Sequence, residues 1–396
     1  MSCASRRRPE GIRRAAPSEN AGGTAAADAA HGGVWGFARV LRLEHPPLRA
    51  LSADAARGAE AATATRRLLA GAAAASGADE AEVAWGAARR AARLRRAVAA
   101  RAGRAAHCGA YAVTGGLGGL GLRAAALLVE RGAARVLLAS RSGRVTRDGQ
   151  GLEAQLRSLG AAAAVAACDS ADASEAGALL ACAHPLAGVL HAAGVADSGL
   201  LVALRPHMVR SLLAPKAFGA WHVHGAVATT PLETKVLYSS VGSGLGNVGQ
   251  ANYAAANACL DALALSRRAR GVVACCLQWP LVGGAGMGAG MAAAMAERRA
   301  TVAGMADITL DQYVACLGAQ VAARCGVAPG VQLAHRRDVH ELLQDLSDPS
   351  QPRFGELLAA ADGSSGEPTA AAGNTLAQAL APLAPSQRRA HVEAAV

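Results

Sequence analysis

A serine, a tyrosine and an asparagine stand at spacings that suit carbonyl chemistry. The run TKVLYSS ends on Ser240, Tyr253 follows 13 residues later, and Asn257 lies four residues beyond it. Residues i and i+4 share a helix face, so a helix opened by Tyr253 presents both side chains on one side. Reduction of a ketone needs a proton delivered to the oxygen as hydride reaches the carbon. Tyrosine can deliver it when a nearby ammonium lowers its pKa, and a serine hydroxyl can hold the carbonyl in place. The ammonium has to come from lysine, because an arginine guanidinium is too diffuse for the role. Among 40 basic side chains there are two lysines, Lys216 and Lys235. Lys216 lies in LLAPKAFGAWH, a predicted helix between two predicted strands, whereas Lys235 precedes a strand and reads as ordinary surface.

A second constellation points to a dinucleotide. Residues 114–121 read TGGLGGLG, after a predicted strand and at the start of a predicted helix. Glycines there allow a tight turn and a close approach of backbone to a pyrophosphate, whose charge is favoured by the helix N-terminus. Thr114, Gly115, Leu117, Gly118, Gly119 and Leu120 are the candidate contacts. The next strand ends in ASRSG, placing Ser140 and Arg141 at its tip, with Arg141 20 residues beyond Gly121. An NAD site presents a carboxylate there; an arginine can instead receive a 2′-phosphate, which favours NADPH. Asp169, after the strand AAVAAC, is placed to hydrogen-bond the adenine amino group or to cap the helix that follows.

These side chains need a scaffold that brings strand ends together. From residue 108 onward, apolar runs of strand length (AYAVTG, ARVLLAS, AGVLHAAG, TKVLYSSV, VVACCLQW) alternate with helical segments (RAAALLVERG, GLEAQLRSLG, ASEAGALLACA, YAAANACLDALALSRRARG). That alternation predicts an α/β fold, a doubly wound parallel sheet of Rossmann type. Upstream, VWGFARVLRLEHP has bulky apolar residues at helical spacing (Val34, Phe37, Leu41) and is stopped by Pro46 and Pro47. DITLDQYVACLGAQVA is amphipathic, and VQLAHRRDVHELLQDL closes the unit. Residues 347–374, rich in Ser, Pro, Gly and Ala, read as a linker, and helical periodicity resumes over residues 375–396.

Composition narrows the field. The 396 residues suffice for a large core. They are 52% hydrophobic but only 3% aromatic, alanine supplying much of the apolar share. No stretch holds the roughly 20 large apolar residues of a membrane helix, so no membrane span is expected. The net charge of +11 lacks the basic clusters interleaved with aromatics that nucleic-acid binding calls for. Nine cysteines, none in a CxxC pair, suggest reduced thiols and a cytoplasmic setting. No metal-binding pattern is present. Residues 1–30 read as a disordered leader, although the first 16 are arginine-rich in the manner of an organelle transit peptide.

Taken together, YAVTGGLGGLGL, LLASRSG, AACD, GVLHAAGV, APKAFGAWH, YSSVGSGLGNVGQANYAAANACLDALA and the Trp279 segment resemble the ketoreductase domain of modular type I polyketide synthases and, less closely, that of animal-type fatty acid synthases. In common short-chain dehydrogenases the lysine sits four residues after the tyrosine. In this family lysine and asparagine have exchanged places, as Lys216 and Asn257 do here. The resemblance implies Tyr253 as proton donor, Ser240 as the carbonyl-orienting hydroxyl, Lys216 as the partner that lowers the tyrosine pKa, and Asn257 as support for that lysine and its water relay. It adds Ala192, Ala193 and Gly194 to the cofactor site.

The same resemblance implies a truncated Rossmann-like structural subdomain at 31–104, a catalytic NADPH-binding domain at 105–346, a linker at 347–374 and the start of an acyl carrier domain at 375–396. The activity implied is NADPH-dependent reduction of a 3-oxoacyl thioester, carried on the phosphopantetheine of an acyl carrier domain, with other synthase domains as partners. A silent scaffold domain and a stand-alone dehydrogenase of free ketones are the alternatives. The chain departs from the family at Ala196, Asp197 and Ser198, where Leu-Asp-Asp is usual, at Leu245, where a tryptophan can stand, and at Pro280, usually glycine. The segment GGAGMGAGMAAAMAE suits a mobile cover over the acyl arm.

Overall fold

The computed structural model describes residues 31–55, 66, 80–85, 89–94, 109–145, 151–283, 307–322, 330–334, 339–346 and 348–361. The expected leader, the carrier-like end and nearly all of the glycine- and alanine-rich cover lie outside them.

Seven strands form one parallel sheet: β4 (Ala110–Thr114), β5 (Arg135–Ser140), β6 (Ala163–Ala167), β7 (Leu186–His191), β8 (Thr234–Ser240), β9 (Cys275–Trp279) and β10 (Val331–Leu333), numbered after the three shorter strands described below. Their order is β10-β9-β8-β7-β4-β5-β6, every neighbouring pair parallel. Helices cover both faces. Gly119–Glu130 and Leu310–Ala322 enclose one core around Val113, Leu128, Tyr238 and Tyr313. Ala173–Ala181, Gly219–Ala226 and Ala251–Ala269 cover the other, around Val189, Val223, Leu237 and Leu260. β4 and β8 are buried at every position, as inner strands covered on both faces must be. The chain reverses direction across the sheet between β4 and β7, so their carboxyl ends flank the crevice where ligands bind in doubly wound folds.

A separate small sheet holds β1 (Ser52–Ala55), β2 (Glu82–Trp85) and β3 (Arg89–Ala91), β2 pairing parallel to β1 and antiparallel to β3. The first helix, Gly32–Glu44, joins this sheet to the large one. The helix forms where the spacing predicts, but it buries a different face. Gly32, Gly36, Ala38 and Val40 are buried, while Val34 is 64% exposed. The reason is the partner: a Cβ on Gly36 would lie 2.3 Å from the Ala254 carbonyl oxygen, and one on Gly32 2.5 Å from that of Ala258. Two backbones this close tolerate only small side chains, so the bulky residues turn away.

Charge completes the junction. Arg39 grips Glu82 through Nε (2.7 Å) and Nη2 (2.6 Å) and donates from Nη1 to the Ser243 carbonyl at 2.5 Å. Burial pushes the Glu82 carboxyl up; the guanidinium of Arg39, with Arg42 and Arg353, more than offsets this and holds it below its ordinary value. Removing one partner of such a pair strands a buried charge, at about 3–5 kcal/mol.

The reading of residues 347–374 as a linker needs correction over 348–361. Pro352–Phe354 forms a 3-10 turn and Gly355–Ala361 a helix, with Phe354 and Leu357 buried against Leu342 and Leu343. Three apolar side chains spaced i, i+3, i+4 (Phe354, Leu357, Leu358) supply the anchor that the small and polar residues around them disguise. Leu245 packs against this cluster, and Arg353 Nη1 donates to the Gly244 carbonyl at 3.0 Å.

Candidate active site

The glycine loop sits at the switch between β4 and β7. Gly115 adopts φ +69°, and a Cβ on it would come within 2.7 Å of the Ala192 and Ala193 backbone. Ala192 N donates to Thr114 O at 2.9 Å, locking the two strand ends together. Gly121 packs so tightly on Gly115 O (2.5 Å for a Cβ) that it too must lack a side chain. Gly118, the N-cap residue, offers no side chain to cap the first turn of helix Gly119–Glu130. Around Gly118 a Cβ would meet only Gly115 O, at 3.4 Å. Uncapped N–H groups above an open glycine form a cradle that fits an anionic diphosphate. Ser140 and Arg141 follow at the end of the adjacent strand β5, with Arg141 exposed. Asp169 is not the helix cap. That role falls to Asp172, whose Oδ1 accepts from Ser174 N and Glu175 N, while Asp169 Oδ1 accepts from Ala171 N at 3.0 Å.

The other four candidates converge one strand over. Ser240 ends β8 and caps the short helix Val241–Leu245, its Oγ accepting from Gly242 N at 3.2 Å. Tyr253 and Asn257 lie on the first turns of helix Ala251–Ala269, as the spacing predicts. Lys216 lies in a π-helical turn, Ala214–Phe218, between β7 and β8. Such turns are rare and occur often at functional sites. Its Nζ donates to the Tyr238 carbonyl at 2.8 Å and stands 5.8 Å from the centre of the Tyr253 ring. Gly194 makes room for it, since a Cβ there would lie 2.6 Å from Lys216 Cε.

Burial lowers the Lys216 pKa to about 8, with Cys276 and Asp261 working against the fall. The Cys276 thiol is itself pushed up by burial and by Asp261, so the acting anion is the Asp261 carboxylate. Desolvation raises the Tyr253 phenol, while hydrogen bonding from Ser240 and Asn257 opposes the rise. Asn257 Nδ2 donates to Tyr253 O at 2.9 Å. Its buried Oδ1 has no hydrogen-bond partner among the described residues, an acceptor left for a water or an ammonium.

The structure adds three buried residues to this picture. His191, inside the motif GVLHAAGV, is fully buried. Its Nε2–H donates to Lys216 O (3.2 Å), so Nδ1 accepts from the Thr114 hydroxyl (2.8 Å). Burial first, then the Lys216 charge, lowers its pKa to about 3, so the ring is a neutral brace between the glycine loop and the lysine turn. Asp261, two turns beyond Tyr253, accepts from Ser243 Oγ (2.6 Å), Gln278 Nε2 (2.8 Å) and Cys276 Sγ (3.0 Å). Its signal was present as an i, i+4, i+8 series with Tyr253 and Asn257. Lys235, expected at the surface, is instead 0% exposed on β8, because an inner parallel strand has no solvent face. Among the described residues, no group of His, Cys, Asp and Glu is arranged to hold a metal ion, and no helix is long and apolar enough to cross a membrane.

Comparison with known proteins bears on this geometry. The family model described as KR domain matches residues 109–284. The chain is 40% identical over 291 residues to the spectinabilin polyketide synthase system protein NorB of Streptomyces orinoci, covering 71% of this chain and 13% of that protein. It is 36% identical over 288 residues to the pikromycin polyketide synthase component PikAIII of Streptomyces venezuelae, covering 72% and 18%. It thus spans less than a fifth of either synthase. Among solved structures it superposes on an A1-type ketoreductase with TM-score 0.71 and 31% identity, over 84% of this chain and 71% of that one. For the first ketoreductase of the tylosin synthase the values are 0.67 and 32%, over 83% and 72%.

Proposed function

The chain belongs to the ketoreductase family of modular polyketide synthases, a family of oxidoreductases, and from that membership we propose that it reduces a carrier-bound 3-oxoacyl thioester to the 3-hydroxyacyl thioester with NADPH. The observation that carries the proposal is the convergence of Lys216, Ser240, Tyr253 and Asn257 at the carboxyl end of the sheet, beside the glycine cradle. NADPH, when bound, supplies the hydride. Ser240 holds the ketone oxygen, and the Tyr253 phenol gives that oxygen its proton. Lys216, with a pKa of about 8, is largely ammonium at neutral pH and stabilises the phenolate left behind. The unpartnered Asn257 Oδ1 orients a water that returns the proton through Lys216.

Thr114, Gly115, Leu117, Gly118, Gly119 and Leu120 would form the diphosphate cradle, closed by Ala192, Ala193 and Gly194. Ser140 and the exposed Arg141 would take the 2′-phosphate, and Asp169 the adenine amino group. The first helix and the small sheet would be the structural subdomain of 31–104, attached to a catalytic domain of 105–346. An acyl carrier domain and other synthase domains would be the partners, in keeping with the size of the relatives.

The test is direct. Purified protein should oxidise NADPH in the presence of a small 3-oxoacyl thioester, and Tyr253→Phe should lower kcat by about 10²- to 10⁴-fold. Arg141→Glu should narrow the preference for NADPH over NADH by about tenfold or more. Folded protein that binds NADPH but turns over no thioester would refute the proposal.

A further inference from the structure

Glu44 ends the first helix, remote in sequence from every residue assigned to the site. Its two carboxylate oxygens reach two different loops: Oε2 accepts from Leu201 N at 2.8 Å, and Oε1 from Gly249 N at 2.8 Å. Electrostatics of the helix alone disfavour a carboxylate here, since the C-terminus of a helix carries partial negative charge. The two amide donors offset that.

The loops it joins lead to the reacting groups from opposite sides. One begins at Gly194, packed on Lys216, and runs to Leu201. The other, residues 246–250, leads into the helix that carries Asn252 and Tyr253. They are stitched together by Gly199 N donating to Gly249 O (2.8 Å) and by Asn252 Nδ2 donating to Asp197 Oδ2 (3.2 Å). Asn252 Oδ1 then accepts from Tyr253 N at 2.9 Å. Residues 192–200 and 246–250 form no helix or strand, so their separation is set by these few bonds. Beneath them Leu201 and Leu204 pack on Val40, Ala251 and Ala254.

We propose that Glu44 is a positioning residue for the reduction: its carboxylate fixes the distance between the Lys216 loop and the Tyr253 loop, and with it the shape of the pocket that receives the ketone. The inference rests on the reductase reading. A carboxylate suits the task because it offers an acceptor to each amide, whereas a glutamine would turn a donor toward one of them.

Glu44→Gln keeps the size and removes one acceptor; Glu44→Ala removes both. In the full chain, amide hydrogen exchange over residues 195–204 and 246–252 should quicken at least tenfold in Glu44→Gln and more in Glu44→Ala. The KM for a 3-oxoacyl thioester should rise about tenfold, with the Kd for NADPH, read by fluorescence, within twofold of the parent. Unchanged exchange in both loops overturns the inference. So does a fall in kcat alone, with KM and the NADPH Kd unmoved, since that is the mark of a smaller folded fraction. If the parent protein reduces no thioester the reductase reading fails, and the exchange measurement still decides whether Glu44 holds the loops.

Discussion

The chain's two lysines are both buried against β8, Lys235 on the strand and Lys216 on the Tyr238 carbonyl three residues along it, and they live in opposite chemical circumstances. Lys216, 4% exposed, has a carbonyl acceptor in Tyr238 and the Asp261 carboxylate close enough to support its charge. Lys235 is 0% exposed, and its Nζ has no hydrogen-bond partner among the described residues. Burial, then the charge of Arg267, pushes its pKa well down. Arg267 is itself buried and donates from Nη1 to His224 Nδ1 at 2.6 Å, so both neighbours are basic. Depth of burial therefore does not distinguish the two. What does is the set of partners that keeps an ammonium charged in a dry place and aims it at a tyrosine. An unpartnered lysine at the same depth is a cost to folding.

Exchanging each lysine for methionine tests this contrast most sharply. Lys216→Met should lower kcat by about 10²- to 10⁴-fold with NADPH still bound, because the phenol loses the charge that makes it an acid. Lys235→Met should leave kcat within about twofold, since no hydrogen bond ties its Nζ to Lys216, Ser240 or Tyr253 among the described residues. Equal losses in steady-state thioester reduction would erase the distinction.

The second effect is on stability, and it runs the other way. Lys235→Met should stabilise the fold by about 1–4 kcal/mol at pH 7, read as a higher urea midpoint, because a well-packed apolar chain replaces a lysine whose burial disfavours its charged form. The pH dependence follows from the sign of the shift. A lysine whose pKa is depressed in the folded state penalises folding fully at low pH, where both states are protonated. The penalty fades as pH rises toward the unfolded value of about 10.4. The advantage of Lys235→Met should therefore be larger at pH 7 than at pH 9. A gap that widens with pH would mean that Lys235 finds an anion after all.

Smaller again is the effect of crowding Lys216 from the side. Gly194→Ala places a methyl group where a Cβ would lie 2.6 Å from Lys216 Cε, so the lysine must shift. A shift of up to about 1 Å should reduce kcat about tenfold. A crystal structure of the variant with Lys216 Nζ still on Tyr238 O and full activity would contradict this.

What could be read from the sequence was what depends on local geometry or on rare chemistry. The glycine loop was legible because positive φ at Gly115 and close packing at Gly121 admit almost no other residue. Tyr253 and Asn257 were legible because one helical turn fixes their relation. The parallel sheet followed from alternating apolar runs. Hidden were features defined by contacts across long stretches of chain. His191 meets Thr114 across 77 residues, and Glu44 meets Leu201 and Gly249 across 157 and 205. The burial of Lys235 depends on two helices, Gly219–Ala226 and Ala251–Ala269, closing over an inner strand. The small face of the first helix became readable only once its partner Ala254 was known, since periodicity counts bulky residues and passes over glycines.

The subtlest difference between the two lysines is the carboxylate near one of them, and it can be removed alone. Asp261→Asn keeps the side-chain shape, and its carbonyl can still accept from Ser243 Oγ and Gln278 Nε2, whose bonds tie β9 to the segment after Ser240. It takes away the negative charge that resists the effect of burial on Lys216. The Lys216 pKa, about 8 in the parent, should then fall, because desolvation loses the opposing carboxylate charge. On the proposed mechanism the ammonium form supports the Tyr253 phenolate, so the alkaline limb of kcat/KM should move from near pH 8 to lower pH, by about one unit. The loss of rate at pH 7 should stay below about tenfold. A lower rate with an unmoved limb would assign Asp261 to holding Ser243 in place. A limb that shifts would show that the partner set, rather than the depth, separates Lys216 from Lys235.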